Sequence, residues 1–223
     1  MANTLFLRLE GPLQSWGERG RWSVRDSAPE PTKSGIIGLI ACALGINQDA
    51  VIKDLSASLR MGVRIDAPGI RLTDYHTIGG GADEPMLLTA EGKPKKSSGA
   101  PHTEISHRDY LCSASFLVAL QGEMAIIDQI AAALQNPVWV IFLGRKSCPP
   151  TRPVFDGVGN YPDLPVALAA HDWPAKQETL TAVIECSPTA ANAVRRLDHL
   201  VARSHRIYQP RYTQTVLLQQ EAA

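Results

Sequence analysis

Apolar residues alternate through TLFLRLE, residues 4 to 10, which predicts a strand with Leu5, Leu7 and Leu9 on one face. After a turn-rich loop the period changes. Ile36, Ile37, Leu39, Ile40, Ala43 and Leu44 recur at helical spacing, and Gly45 stands where such a helix ends. LRMGVRIDA, residues 59 to 67, reads as a second strand, and GIRLTDYHTI, 69 to 78, as a third folded back on it across Pro68-Gly69. YLCSASFLVALQG, 110 to 122, predicts one long strand. MAIIDQIAAALQ, 124 to 135, puts Ile127, Ile130, Ala131 and Leu134 on one helical face and stops at Asn136-Pro137. VWVIFLG, 138 to 144, then reads as a further strand. The order strand, helix, strand, strand, helix, strand is the α+β, ferredoxin-like βαββαβ pattern, an architecture that serves many chemistries.

Two stretches stand outside that pattern. Residues 79 to 101 hold eight Gly or Pro in 23 positions together with three lysines, so they have no core of their own; long excursions of this kind are usually functional. Beyond about residue 150 the periodicity weakens, and TLTAVIECS, 179 to 187, is the clearest strand there. The expected organisation is a domain over 1–150 followed by a small accessory β region over 151–223.

Composition narrows the function classes. The chain has 223 residues, 44% of them hydrophobic, and a formal net charge of zero, which argues against binding nucleic acid with the whole surface. The charge is uneven, however. Arg195 to Arg211 holds five arginines and two histidines against Asp198, and Lys93 to Arg108 holds three lysines, two histidines and one arginine against Glu104. Basic patches on a neutral body suit nucleic acid along one face and proteins elsewhere. In the distal patch, Val194, Leu197, Leu200 and Val201 also fit an amphipathic docking helix. The longest apolar run, Ile36 to Ile46, is too short to span a membrane, and the N-terminus carries no export signal, so a cytoplasmic chain without a membrane partner is expected. Cys42, Cys112, Cys148 and Cys186 form no C-x-x-C pair and the histidines no H-E-x-x-H, so no metal or other cofactor is expected.

EPTKSGIIGLI, residues 30 to 40, places Lys-Ser ahead of the first helix. A nucleotide-binding P-loop needs glycines before that lysine, and none lies among residues 27 to 32. What fits is a helix start capped by Thr32 or Ser34, with Lys33 beside free amides, suited to a single anion such as one phosphate of a polynucleotide.

LRLEGPLQSWG, PTKSGIIGLIACALGI, TDYHT, HRDYLCSASFLVAL and FLGRKSCPPT follow one another in fixed order between residue 5 and about residue 151. In these blocks the sequence resembles the CasD family of the RAMP superfamily, subunits of the type I-E CRISPR surveillance complex Cascade. The resemblance implies an RRM-like or ferredoxin-like domain with a long β-hairpin thumb, best placed at residues 79 to 107. It implies a non-catalytic subunit that holds the 5′ handle of the crRNA, and as partners a CasC-type backbone subunit, a CasA-type large subunit and, through the complex, target DNA. Relatives of another subtype cleave repeat RNA without metal, using Tyr, Lys and His, so a metal-independent endoribonuclease is the alternative.

Within that frame, Gln14, Trp16 and Gly17 follow the first strand, where a tryptophan either stacks on a base or closes the core. Trp22 is a weaker copy of that choice. Lys33, Ser34 and Gly35 form the helix start. Tyr75 and His76 end a strand beside the thumb, as RNA contacts or as the catalytic pair of the alternative. His107 and Arg108 stand at the thumb base, and Arg145 and Lys146 form a basic turn after a strand, suited to phosphate.

Overall fold

The computed structural model describes residues 3–20, 23–79, 87–98, 100–174, 177–202 and 205–220. In chain order its first half contains β1 (Thr4–Glu10), the two-residue strands β2 (Leu13–Gln14) and β3 (Val24–Arg25), helices α1 (Lys33–Leu44) and α2 (Asp49–Ser58), β4 (Arg60–Ala67) and β5 (Ile70–Gly79). The short β6 (Lys96–Ser97) and β7 (Ala100–Pro101), β8 (Thr103–Cys112), β9 (Ser115–Gln121) and α3 (Met124–Gln135) follow. The last part holds β10 (Phe155–Gly159), α4 (Leu164–Ala170), β11 (Thr179–Glu185), β12 (Val194–Ala202) and β13 (Ile207–Gln219).

The chain is a mixed α+β protein with antiparallel sheets. Among the described residues, seven strands join in the order β10-β1-β9-β4-β11-β13-β12, every neighbouring pair antiparallel. Strand alternation explains its two cores. Leu5, Leu7 and Leu9 of β1, Phe116, Val118 and Leu120 of β9 and Met61 and Val63 of β4 pack with α1 and α3. Phe6, Leu117 and Ala119 point the other way and pack with α4. Gly62 permits that approach, because a Cβ there would already lie 3.0 Å from the Leu168 side chain.

Several expected elements take other forms. Strand 70–79 does not fold back on 60–67. β4 is bonded on both sides, to β9 and β11, so the chain turns away at Gly69 (φ +72°) and β5 pairs with β8 from Ile70↔Cys112 to Gly79↔Thr103. The hairpin arms therefore begin at residue 70, and residues 80–86 and 99 of the expected thumb lie outside the described ones. The long strand expected over 110–122 is broken at Ser113, whose φ is +54°, and its two halves enter different sheets.

Residues 138–144 form no strand. Val138 N donates to Ala43 O at 2.9 Å and Trp139 N to Cys42 O at 3.1 Å, so the start of this segment spends two amides on carbonyls of the last turn of α1. The next strand of the main sheet after α3 is β10. Residues 194–202, with a spacing that also suits a helix, form strand β12, paired with β13. Among the described residues, the strands beyond residue 150 all belong to the main sheet.

Candidate nucleic-acid interface

Thr32 caps α1 as its sequence predicts, with an extended backbone and a hydroxyl that accepts from Gly35 N at 3.3 Å. The next amide is also occupied. Lys33 N donates to Asp198 Oδ2 at 2.9 Å, and the buried Lys33 ammonium donates to both oxygens of Glu185, at 3.3 and 3.1 Å. Asp198 receives the Arg211 guanidinium at 2.9 and 2.6 Å, and Arg196 bridges Glu18 at 3.0 Å and Glu30 at 2.6 Å. Burial brings the Lys33 ammonium below its ordinary pKa, with Glu185 pulling the other way. Burial acts to raise Asp198, but Arg211 and the Lys33 amide outweigh it and hold the carboxyl below its usual range. The open, phosphate-ready helix end expected here is thus closed by the chain's own carboxylate, and Lys33 is withdrawn from the surface. Strands β11 and β12 deliver these acids from more than 150 positions away, a distance no local spacing announces.

Gln14 and Trp16 also lie inside. Gln14 Nε2 donates to Leu9 O at 3.0 Å and Ala114 O at 2.8 Å, while its Oε1 accepts from Trp16 Nε1 at 3.1 Å. The indole lies against α1 at Gly35, where a Cβ would stand 2.9 Å from the ring. Trp16 closes the core, which leaves no ring face for a base. Arg145 is spent on packing as well. It donates to Asp109 O at 3.1 Å and Arg25 O at 2.8 Å, and its guanidinium stands 4.7 Å over the Tyr110 ring. Lys146, next in the chain, is exposed and has no ion-pair partner among the described residues. Trp22 lies outside the described residues.

What remains open is a groove of about 650 Å³ beside α1. It brings together Trp16, Gly17, Ser34, Gly35 and Arg145 from the sequence-predicted set. The same groove is lined by Gly38 and Cys42 of α1, by Trp139 and Phe142 after the helix-capping segment, and by Arg206 and Tyr208 at the turn between β12 and β13. Arg206 and Tyr208 lie in the basic stretch 195–211 that the sequence marks as suited to nucleic acid, although its spacing also suits a helix. Trp139 and Phe142 were hidden in a run that reads as a strand.

The other predicted residues lie on the β5–β8 hairpin. Tyr75 faces His107 across the ladder, both exposed, with ring centroids 5.6 Å apart at 76°. His76 points to the opposite side, as neighbours on a strand must, and its Nδ1 lies 3.4 Å from Asp74 Oδ2. Arg108 is half-buried and donates to Ser106 Oγ at 3.2 Å. β3 runs parallel to β8, pairing Val24 with His107 and Arg25 with Arg108. Arg25 and Asp26 also line the groove, so groove and hairpin meet at that loop.

Residues 4–213 match the family described as CRISPR-associated protein (Cas_Cas5). The chain belongs to this family. Its Cas5 relatives include the "CRISPR system Cascade subunit CasD" of Escherichia coli (strain K12), 33% identical over 187 residues that cover 77% of this chain and 78% of that one. Among solved structures, a chain of a "CRISPR RNA-guided surveillance complex" superposes with a TM-score of 0.74 at 31% identity, over 97% of this chain and 90% of the other. Another, titled "Crystal structure of Cas protein", gives 0.71 at 34% identity, over 98% and 96%. The Cas5 match runs from β1 into β13 and so includes the strands that close the end of α1.

Proposed function

We propose that this chain is a non-catalytic RNA-binding subunit of a Cascade-type CRISPR complex. It holds the 5′ handle of the crRNA along the groove beside α1 and the exposed face of the β5–β8 hairpin. Through the hairpin and the outer strands it docks a CasC-type backbone subunit and a CasA-type large subunit, and the assembly then engages target DNA. The observation that carries this reading is the join between groove and hairpin at residues 24–26, in a chain 33% identical to a Cascade subunit.

The core reads as ferredoxin-like when β10 is taken as the fourth strand. The order β10-β1-β9-β4, with α1 and α3 in the connections, supports that reading. In this proposal Tyr75 and His107 stack unpaired bases, while Arg108 and Lys146 meet phosphates. Gly17, Ser34 and Gly35 let the strand approach, and Gln14, Trp16, Lys33 and Arg145 shape the site from within. The opposite facing of Tyr75 and His76 supports a binding role over repeat cleavage, since a general acid and base must converge on one ribose–phosphate unit.

The test is co-expression with the partner subunits and a CRISPR transcript. Tyr75→Ala with His107→Ala is expected to lower retained guide RNA at least tenfold, in line with about 1–3 kcal/mol per stacked base, without changing the circular dichroism of the chain. Unchanged retention would remove the hairpin from the RNA path. Repeat RNA incubated with the chain in EDTA is expected to stay intact; cleavage that disappears in His76→Ala or His107→Ala would replace this reading with the endoribonuclease.

A further inference from the structure

The β5–β8 hairpin has two unlike faces. Its ladder pairs Asp74 with Arg108, His76 with Ser106 and Ile78 with Glu104, so these side chains lie opposite Tyr75 and His107. Beyond them the tip forms a small ladder of its own. Lys96 pairs with Pro101 and Ser97 with Ala100, Lys95 N donates to Leu87 O at 2.6 Å, and His102 N donates to Lys95 O at 3.1 Å. This fold-back carries the Lys95 ammonium to Glu104 Oε2, at 3.1 Å, and His102 Nε2 stands 2.6 Å from the same oxygen. One carboxylate oxygen thus holds two basic side chains. His102 first and Lys95 second keep the Glu104 carboxyl below its ordinary pKa, so it is ionised at neutral pH.

Stability accounts for little of this arrangement. All three side chains are partly exposed, where an ion pair contributes little. Lys95 is already fixed through its own amide and carbonyl, so the tip keeps its place without Glu104. The surroundings are basic. Lys93 and Lys96 are exposed and have no ion-pair partner among the described residues, and Arg108, on the Glu104 face, donates to the Ser106 hydroxyl. Two other acids stand near but are turned elsewhere: Asp74 lies 3.4 Å from His76, and Glu91 bonds the Thr89 side chain within its own turn. Without Glu104 this side of the hairpin would be a row of cations that takes any polyanion.

We infer that Glu104 is an internal stand-in for phosphate: its carboxylate occupies Lys95 and His102, where a backbone phosphate would bind, and so keeps the basic face of the hairpin from holding loose polyanions. A phosphate that displaces it gains two cations but leaves the carboxylate unpaired beside it. RNA anchored at a second place on the chain meets that cost; a free strand does not. This deepens the RNA-binding reading above and rests on it, and it makes Glu104 a residue that sets specificity by exclusion.

The experiment uses the full chain and fluorescein-labelled octa-uridylate, titrated across a salt series. Glu104→Gln keeps the shape of the side chain and removes its charge; circular dichroism and thermal melting check the fold. The variant is expected to bind octa-uridylate about fivefold more tightly than wild type at low salt, the worth of one nearby unit charge in water. The slope of log affinity against log salt is expected to steepen by about 0.7 for each cation set free. Adding Lys95→Gln and His102→Gln to Glu104→Gln is expected to return affinity and slope to the wild-type values.

Glu104→Gln binding as wild type does, or more weakly, would overturn the inference and leave the RNA-binding reading in place, with Glu104 a structural tie of the tip. A gain that survives in the triple variant would overturn it too, since the freed cations would then lie elsewhere. Octa-uridylate bound by neither wild type nor Glu104→Gln overturns both readings.

Discussion

Asp198 is 1% exposed and holds three elements at once. It caps the amide of Lys33 at the start of α1, receives the Arg211 guanidinium from β13, and is itself carried on β12. A buried carboxylate persists only where such partners repay its desolvation, and removing the charge leaves Arg211 buried without its counter-ion. Asp198→Asn is therefore expected to cost about 3 kcal/mol at neutral pH, read from urea unfolding. The pH dependence follows from the same contacts. The folded-state pKa of Asp198 lies below its ordinary 3.8, so its contribution is complete above that value and is lost as the pH falls through the folded-state pKa. The stability gap between wild type and Asp198→Asn should accordingly narrow below about pH 4; a gap that stays constant down to pH 2 would show that the carboxylate is not the acid-sensitive part of this network.

Helix α1 carries one wall of the groove, and its far end is fixed by the segment after Pro137. Gly45 closes the helix with φ +69°, and Val138 and Trp139 donate to the last carbonyls. Gly45→Ala meets two penalties. The left-handed backbone is unfavourable for alanine, and the new Cβ would stand 2.9 Å from a methyl of Val138. A loss of about 1–2 kcal/mol is expected, with a shifted emission from Trp139 as its capping segment is displaced. A thermal midpoint equal to wild type would mean that residues 138 and 139 do not hold the helix end. This segment also shows why some elements were legible and others were not. β1, α1 and α3 declare themselves locally, because each buries a face at its own period and α1 carries its caps in sequence at Thr32 and Gly45. The run 138–144 has the composition of a strand, but β10 occupies the outer edge of β1 and the run caps α1 instead, and 70–79 left β4 because β11 had taken that edge. Lys33 and Trp16 have the residue types of an RNA contact; burial decided their roles, Lys33 among acids on strands from the far end of the chain and Trp16 against α1.

At the scale of the whole molecule, the boundary expected near residue 150 runs through a continuous sheet. β11 is bonded to β4 on one edge and β13 on the other, so the C-terminal strands share backbone hydrogen bonds with the first half. Ion pairs cross the same line on both faces. Lys33 meets Glu185 and Asp198 on the α1 side. On the α4 side Arg8 pairs with Asp66 and Asp156, while the buried Arg64 guanidinium donates to Asp66 and to the carbonyls of Leu168, His171 and Asp172. A chain built this way is expected to unfold in a single transition. Urea curves from tryptophan emission should coincide with those from far-UV circular dichroism, because Trp16 in the first half and Trp173 in the second report on one event. A fragment ending at residue 150 would expose the β11-bonding edge of β4 and leave Arg64 and Lys33 buried without their distant partners, at a cost of several kcal/mol each against a total stability of only about 5–15 kcal/mol. It should therefore show no cooperative transition. Two separated transitions, or a fragment 1–150 that melts cooperatively, would mean that the C-terminal strands are an appendage and that the wall they build at Tyr208 can leave the groove without unfolding it.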